Sequence, residues 1–328
     1  MMNIAVIGLG SMGKRRIRLL TRHFPEHTVI GIDTQAARCE DCARTFGIRS
    51  FSSLPEAVQN NKLDAIFVCT SPLSHNSIIA QALQYNLQVF TEINLVQDGY
   101  DENIKTAEEK GLVLFLSSTF FYREEIRFVQ QQLKAHPQCI SYTYHVGQYL
   151  PDWHPWESYK SFFLGDKRTN GCREIMAIDL PWIIKTFGKV VDVHVFRSKM
   201  SQLDIDYPDT FIISLKHESG NLGTFVADVV ARAPFRELRV SGEQLLLSWD
   251  GTPNSLKRFD LNQKKWEQIK LYDQVDQLEN YSATITENAY LEEIKAFFAQ
   301  VETGKPAPYT FYDDYETLRL IDRIEQNI

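Results

Sequence analysis

The feature that most constrains this chain is a glycine-rich turn directly after its first apolar run. Residues 4–7 read Ile-Ala-Val-Ile and lead straight into the turn. In such a turn the first glycine allows the tight bend, the second lets the backbone approach a pyrophosphate, and the third allows close helix–strand packing. The helix that follows offers free N–H groups to the phosphates. The predicted dinucleotide-binding residues are Gly8, Leu9, Gly10, Ser11, Met12 and Gly13.

Asp33 extends this pattern to the adenosine ribose. A second apolar run ends at Asp33, twenty residues beyond Gly13. A carboxylate at the end of the second strand accepts hydrogen bonds from the ribose hydroxyls and repels a 2′-phosphate. Thr34 and Gln35 supply no arginine that would bind such a phosphate. The predicted cofactor is therefore NAD(H) rather than NADP(H).

Two patterns of hydrophobicity divide the chain near residue 120. Before it, apolar strands alternate with helices, which predicts a parallel βαβ sheet; after it, period-two alternation predicts an antiparallel one. The predicted fold is α/β, with an N-terminal Rossmann doubly wound parallel sheet in residues 1–120. An α+β substrate domain with an open, mostly antiparallel sheet follows in residues 121–328, and its terminal helix is a candidate to pack on the first domain. The predicted parallel strands are Ile4–Ile7, Val29–Ile32, Ala65–Cys69, Gln88–Thr91 and Val113–Ser117.

Charge and cysteine content exclude several classes of protein. A net charge of −7 argues against a nucleic-acid-binding surface, and no apolar run is long enough to span a membrane. The chain enters its first strand without a signal peptide, so we expect a cytoplasmic protein. The five cysteines are odd in number, as expected of reduced thiols. Cys39 and Cys42 have C-x-x-C spacing but no companion pair, so no metal site is predicted.

Two further motifs lie at the carboxyl ends of predicted strands, where cofactors bind in such sheets. They are Cys69-Thr-Ser-Pro72, with His75 three residues on, and the strand end at Glu92. With the glycine turn, they resemble the glucose–fructose oxidoreductase / inositol dehydrogenase (Gfo/Idh/MocA) family of NAD(P)-dependent oxidoreductases over nearly the whole chain. The resemblance implies a homodimer or homotetramer formed through the second sheet. It also implies cofactor contacts from Thr70, Ser71, Pro72, His75 and Glu92.

The alternative for Pro72 and His75 is a purely structural role, in a turn and at the start of a helix. The departures from the family pattern matter more. A lysine that contacts the substrate hydroxyl is replaced by Ile93, and the proline after it by Asn94. The stretch that carries the family's catalytic histidine has none, and Asp179 lies nearest its place. Both familiar proton-handling groups are therefore missing.

The aromatic segment 153–160 is the richest source of replacements. His154, Tyr159 and Lys160 can transfer protons when their pKa values are tuned, and we predict a catalytic role for them. Trp153 and Trp156 can stack on sugar rings and are predicted to bind substrate. The alternative is an aromatic loop that covers the edge of the sheet.

Four other residues are candidates with structural alternatives. Asp179 is predicted to be catalytic, either by holding substrate or by orienting a base, but it also resembles a helix N-cap before Pro181. Arg173 and Glu174 are predicted to bind substrate, although a local ion pair accounts for them equally. Arg123 is predicted to bind a carboxylate or phosphate, and the alternative is that it anchors the following helix.

Together these observations favour an NAD-dependent oxidoreductase that acts on a carbohydrate-type substrate, such as a nucleotide-activated or amino sugar. The missing lysine and histidine leave two alternatives open. One is an NAD-binding sensor or partner protein with altered or lost catalysis. The other is a reductase of a C=N or C=C bond, for which proton donation is easier.

Overall fold

A computed structural model describes residues 1–153, 157–278 and 282–326 of the chain. It divides the chain into two compact units. The first unit contains Met1–Ser118 and Glu293–Tyr315. The second unit contains Thr119–Glu292 and the chain from Glu316 onward.

The first unit is built on a parallel sheet of six strands in the order β3-β2-β1-β4-β5-β6. The central strand β4 is buried at all four positions, as expected when helices cover both faces of a sheet. This strand order confirms the predicted doubly wound Rossmann sheet. The strands are β1 (Asn3–Ile7), β2 (Thr28–Ile32), β3 (Ser50–Phe51), β4 (Ala65–Val68), β5 (Gln88–Thr91) and β6 (Leu114–Leu116).

Helices alternate with these strands, and two lie near the end of the chain. Helix α3 starts as the sequence indicates, because the Ser53 side chain accepts from the Glu56 N–H and Pro55 lies in the first turn. The helices are α1 (Ser11–His23), α2 (Ala36–Phe46), α3 (Leu54–Asn60), α4 (Pro72–Gln84), α5 (Tyr100–Lys110), α6 (Glu124–Ala135), α7 (Gly171–Phe187), α8 (Glu287–Thr303) and α9 (Phe311–Gln326).

The second unit is built on a sheet of eight strands in the order β14-β13-β12-β11-β7-β10-β9-β8. Strands β7 and β10 are parallel, and the other described pairs are antiparallel, which confirms the predicted mostly antiparallel sheet. The strands are β7 (Ser141–Tyr149), β8 (Val190–Ser198), β9 (Thr210–His217), β10 (Leu222–Asp228), β11 (Val230–Ser241), β12 (Leu246–Trp249), β13 (Lys257–Asp260) and β14 (Lys265–Gln268).

Helix α7 covers the inner face of this sheet and forms an aromatic core with it. Tyr144 on β7 meets Trp182 edge-on with ring centroids 5.1 Å apart, and Tyr142 stacks on Phe187 at 4.0 Å. Helix α7 therefore places its side chains directly beneath β7, β10 and β11.

Strand β11 carries an irregularity that affects the site. Val230 pairs with Tyr149 and Phe235 with Gly147, so residues 231–234 on β11 face a single residue of β7. Such bulges redirect the side chains that follow them. Among the described ranges, no helix combines the length and apolar character needed to cross a bilayer.

Candidate functional site

The glycine turn leaves open space where a pyrophosphate would lie. Gly8 has φ +90°, and a Cβ on Gly13 would come within 1.9 Å of the Gly8 carbonyl oxygen, so both positions require glycine. A Cβ on Gly10 would meet no atom within 4 Å. Gly10 is also the N-cap of α1 and, as a glycine, has no side chain that could cap the helix. The N-terminus of α1 with open space beside it fits a diphosphate.

The Asp33 carboxylate lies beside this turn. Its Oδ2 accepts from the Leu9 N–H at 2.8 Å, and its Oδ1 accepts from the Gln35 N–H at 2.8 Å. These bonds fix the carboxylate at the end of β2, where an adenosine ribose is bound in such folds. Arg38 Nη1 lies 3.6 Å from Oδ2. Sequence reasoning missed this arginine because it considered only the two residues next to Asp33.

The turn after β4 forms the start of α4. Ser71 is the N-cap and Pro72 the first helical residue, while Ser74 Oγ donates to Thr70 Oγ1 at 2.8 Å. His75 is only 2% exposed, with Nε2 3.1 Å from the Thr70 carbonyl oxygen and Nδ1 2.7 Å from Asn94. Both ring nitrogens of His75 therefore have protein partners, and His75 positions the Thr70 turn. Its predicted cofactor contact stays a prediction.

Asn94 takes part in this arrangement from the position of the family's proline. Burial lowers the pKa of His75, so its ring is neutral and carries one proton. The Thr70 carbonyl can only accept, which places that proton on Nε2 and leaves Nδ1 as an acceptor. The structure places Asn94 Oδ1 beside Nδ1 and leaves the Asn94 Nδ2 atom without a partner among the described residues. Because an amide oxygen cannot donate, this hydrogen bond requires the amide orientation that turns the NH₂ group toward Nδ1. The departure from proline thus supplies a hydrogen bond.

Glu92 belongs to a buried network with Arg16 and Glu293. Arg16 Nε donates to Glu92 Oε1 at 2.6 Å, and Arg16 Nη2 donates to Glu293 Oε2 at 2.6 Å. Ser117 Oγ and the Ser118 N–H both donate to Glu293 Oε1, at 3.0 and 2.6 Å. Glu92 is 8% exposed and Glu293 is completely buried. Sequence reasoning found Glu92 but not its two charged partners.

A second polar cluster lies inside the second unit. Arg236 Nη1 donates to both carboxylate oxygens of Asp179, at 2.5 and 2.6 Å, and to the Tyr144 hydroxyl oxygen at 2.9 Å. Tyr144 and the Trp182 indole also donate to Asp179 Oδ1, at 2.8 and 3.0 Å. Asp179 is completely buried, and its carboxylate holds Arg236 in place.

The interpretation of Asp179 as a helix start is wrong. Helix α7 begins at Gly171, because the Asn170 side chain accepts from the Arg173 N–H at 2.8 Å. Asp179 therefore lies in the middle of the helix, with Pro181 inside it. Sequence reasoning missed Arg236 and Tyr144, since only strand pairing brings β7 and β11 together over α7.

Glu174, close to this cluster, has a carboxylate oxygen without a hydrogen-bond partner among the described residues. It lies in the first turn of α7 and is half-buried, and this oxygen, Oε2, is inaccessible. Burial raises the pKa of Glu174 to about 8, against the opposing effect of the Arg236 charge. A local ion pair of Glu174 with its neighbour Arg173 is not what the structure contains.

Two predicted substrate-binding arginines are held in structural contacts. Arg173 donates to Asp322 at 2.7 Å and also pairs with Glu325, both on α9. Arg123 is 3% exposed and forms a two-pronged pair with Glu125 at 3.0 Å. These contacts favour the anchoring alternative for Arg123, and they pair Arg173 with α9 instead of with its neighbour Glu174. Substrate binding by the two arginines stays a prediction.

The 153–160 segment is described only in part. His154 and Trp156 lie outside the described residues. Trp153 is half-buried next to Gly171, where an added Cβ would lie 3.5 Å from the Trp153 ring. Lys160 is exposed and pairs with Asp204, whose N–H donates to the Tyr159 hydroxyl at 3.2 Å. Tyr159 and Lys160 are thus engaged by one surface loop.

The predicted C-x-x-C pair shows two thiols in different surroundings. Cys39 is half-buried, and its Sγ lies 3.4 Å from the Asp33 carbonyl oxygen, whereas Cys42 is buried. Burial raises the pKa of both thiols. Across the described ranges, no group of three or more His, Cys, Asp or Glu side chains is arranged to hold a metal ion.

Comparison with known proteins assigns the first unit. Residues 2–118 match the Gfo/Idh/MocA family model, described as an oxidoreductase family with an NAD-binding Rossmann fold. The match is confined to the first unit of the chain. An inositol 2-dehydrogenase of Leifsonia xyli subsp. xyli is 32% identical over 98 residues, which cover 30% of this chain and only 29% of that protein.

Solved structures extend the likeness to the fold of the whole chain. A UDP-N-acetylglucosamine 3-dehydrogenase, GnnA, from Acidithiobacillus ferrooxidans matches 100% of this chain and 97% of its own, with a TM-score of 0.78 and 18% identity. GenD2 from gentamicin A biosynthesis, solved in complex with NAD, matches 99% and 94% of the two chains, with a TM-score of 0.77 and 18% identity. At these identities the likeness of the whole chain to these structures concerns the fold alone.

Proposed function

We propose that this protein is an NAD-dependent oxidoreductase that moves a hydride between NAD(H) and a carbohydrate-type substrate. The observation that carries this proposal is the glycine turn, in which open space at Gly10 and the fixed carboxylate of Asp33 match a diphosphate and a ribose. The nicotinamide supplies the hydride chemistry when the cofactor is bound. The N–H groups of the turn bind the phosphates, Asp33 binds the ribose, and Thr70, Ser71 and Glu92 line the strand ends beyond them.

Glu174 is our candidate for the proton transfer that accompanies hydride transfer. An alcohol that loses a hydride must also lose its hydroxyl proton, and a pKa near pH 7–8 suits a group that both accepts and donates. The Glu174 carboxyl has this property, reaches solvent in part and has an unpartnered oxygen. Glu174 thus replaces Asp179, Tyr159 and Lys160 as the leading catalytic candidate.

Arg236 is our candidate for binding the substrate. Asp179 and Tyr144 fix one nitrogen of its guanidinium, and its side chain remains 15% exposed. A guanidinium held in this way binds hydroxyl, carboxylate or phosphate oxygens with little loss of entropy. This property suits a nucleotide-activated or polyhydroxylated sugar. The names of the similar proteins, which include UDP-N-acetylglucosamine and inositol dehydrogenases, support the same substrate class.

The outer face of the second sheet supports the proposed homodimer or homotetramer. Four large apolar side chains of β8, β9 and β10 are exposed: Phe196 at 79%, Leu222 at 54%, Val191 at 52% and Ile212 at 41%. Phe196 and Ile212 are directly paired across β8 and β9, so they form one continuous apolar area. A second copy of the chain is the occupant that the family resemblance implies.

The proposal is tested in two steps. Calorimetry should show that NAD⁺ binds at least tenfold more tightly than NADP⁺, a difference of about 1.4 kcal/mol. NADH absorbance should then rise when UDP-N-acetylglucosamine or myo-inositol is added with NAD⁺. Binding of NAD⁺ without oxidation of either compound would favour the sensor or partner alternative. An absence of NAD⁺ binding would contradict the proposal itself.

A further inference from the structure

The network of Arg16, Glu92 and Glu293 brings two acidic groups to one basic group inside the first unit. Arg16 is completely buried, and its guanidinium lies 4.5 Å above the Phe90 ring, so it is held from below as well as from the sides. It contacts Glu92 at 2.6 Å on one side and Glu293 at 2.6 Å on the other. A simple structural ion pair needs only one of these carboxylates.

The groups around both carboxylates are hydrogen-bond donors, which favours the ionised form of a carboxyl group. The groups around Glu293 all donate to it: Arg16 Nη2, Ser117 Oγ and the Ser118 N–H. Glu92 receives the two Arg16 nitrogens, and the Cys69 thiol, with its pKa raised well above its usual value by burial, lies 3.9 Å away as a further donor. Burial and the Glu92 charge raise the pKa of Glu293, whereas the Arg16 charge and the hydrogen bonds from Arg16 and Ser118 lower it. With both carboxylates ionised, the charges of the three side chains sum to −1.

The topology places this charge in a definite half of the cofactor site. In a doubly wound sheet the two ends of a dinucleotide lie over the two halves of the strand order. Asp33 follows β2, in the half that binds adenosine. Glu92 follows β5, Ser117 follows β6 and Cys69 follows β4, so the network lies under the other half, where the nicotinamide is bound. Glu92 is slightly exposed at this strand end.

We propose that this buried network makes the protein discriminate between the two redox states of its cofactor, binding NAD⁺ in preference to NADH. The nicotinamide ring carries a positive charge in NAD⁺ and none in NADH, so a net negative charge nearby stabilises only the oxidised form. A buried charge is poorly screened by salt, so the effect reaches over several ångströms. The inference rests on the proposed function, because it requires that NAD binds at this turn. In this proposal Arg16 and Glu293 set the preference for NAD⁺ over NADH.

Glu293→Gln is the deciding variant, because Glu293 is completely buried and cannot touch the cofactor. Arg16 keeps its pair with Glu92, and the network becomes neutral. Calorimetry should show NAD⁺ affinity about fivefold lower and NADH affinity changed less than twofold. A fivefold change in the ratio corresponds to a shift of about 20 mV in the potential of the bound two-electron couple. Glu109→Gln, on the exposed face of α5, is the matched control and should change neither affinity.

Glu92→Gln is the second variant and should shift the ratio in the same direction, in case Glu293→Gln fails to fold. Equal losses of NAD⁺ and NADH affinity in both variants would overturn the inference, since they would show a purely structural role. An unchanged ratio in both would overturn it as well. Failure of the unmodified protein to bind either form of the cofactor would instead contradict the proposed function.

Discussion

The two units of this protein assemble their polar sites in opposite ways. In the first unit, the glycine turn and Asp33 lie within about thirty residues of sequence, and each position follows from a local requirement of the backbone. In the second unit, Tyr144, Glu174 and Arg236 come from β7, α7 and β11, which are far apart in the chain. The first arrangement is encoded by spacing and the second by strand pairing.

This difference has a consequence for mutation. In the first site, adding one carbon atom to a glycine should disrupt cofactor binding. In the second site, replacing a side chain should lower activity and leave the fold intact. The substitutions below test that contrast, beginning with the one for which we expect the largest effect.

Gly13→Ala should abolish cofactor binding together with part of the fold. Its Cβ would lie 1.9 Å from the Gly8 carbonyl oxygen, so β1 and α1 cannot keep their present spacing. We expect NAD⁺ affinity to fall by at least a hundredfold and the melting temperature to fall by several degrees. Calorimetry and thermal unfolding measure the two effects.

Gly10→Ala is the matched control for that substitution. The added methyl meets no protein atom within 4 Å, so the melting temperature should be unchanged. NAD⁺ affinity should still fall about tenfold or more, because the methyl occupies the space assigned to the pyrophosphate. If Gly10→Ala binds NAD⁺ normally, the cofactor does not approach this turn and the proposed site is wrong.

Glu174→Gln should leave the fold and NAD⁺ binding intact while lowering turnover about a hundredfold, as expected for loss of a general acid–base group. In the oxidative direction the carboxyl must be deprotonated. The turnover of the unmodified protein should therefore rise with pH through about 8, and this rise should disappear in the variant. Glu218→Gln, at an exposed position of the same unit, is the control.

Stability gives a second readout for Glu174. Its folded pKa lies above the value of about 4.3 expected in the unfolded chain, so the unfolded state releases the proton first as pH rises. The stability that Glu174 contributes is therefore complete at low pH and is lost progressively up to about pH 8. Urea unfolding of Glu174→Gln should lack this dependence. The same dependence in both proteins would show that the Glu174 pKa is not raised.

Arg38→Gln should have the smallest effect, a threefold or smaller increase in the preference for NAD⁺ over NADP⁺. Arg38 Nη1 lies 3.6 Å from Asp33, and its side chain is 44% exposed, so its attraction for a 2′-phosphate is weakened by solvent. Calorimetry with both cofactors measures the ratio. A larger preference for NAD⁺ in the unmodified protein than in the variant would show that Arg38 favours NAD⁺ instead.

Sequence patterns predicted the fold well and the second site poorly, for physical reasons. The Rossmann strands follow from buried apolar runs and the glycine turn, and both signals are local. Glu174 was found, but as a substrate contact, because its missing hydrogen-bond partner is visible only in three dimensions. Arg236 was not found, because no local pattern marks an arginine that pairs with Asp179 fifty-seven residues earlier in the chain.

The irregular start of β11 is a place where the length of the chain can change without disturbing the sheet. From Phe235 to Ser241 every residue of β11 is in continuous register with β7, whereas the four residues before Phe235 have no such partners. Insertions or deletions in that short stretch would leave the pairing of Arg236 unchanged. If Arg236 binds the substrate as we propose, a change in the length of this stretch alters the surroundings of the substrate without rebuilding the sheet.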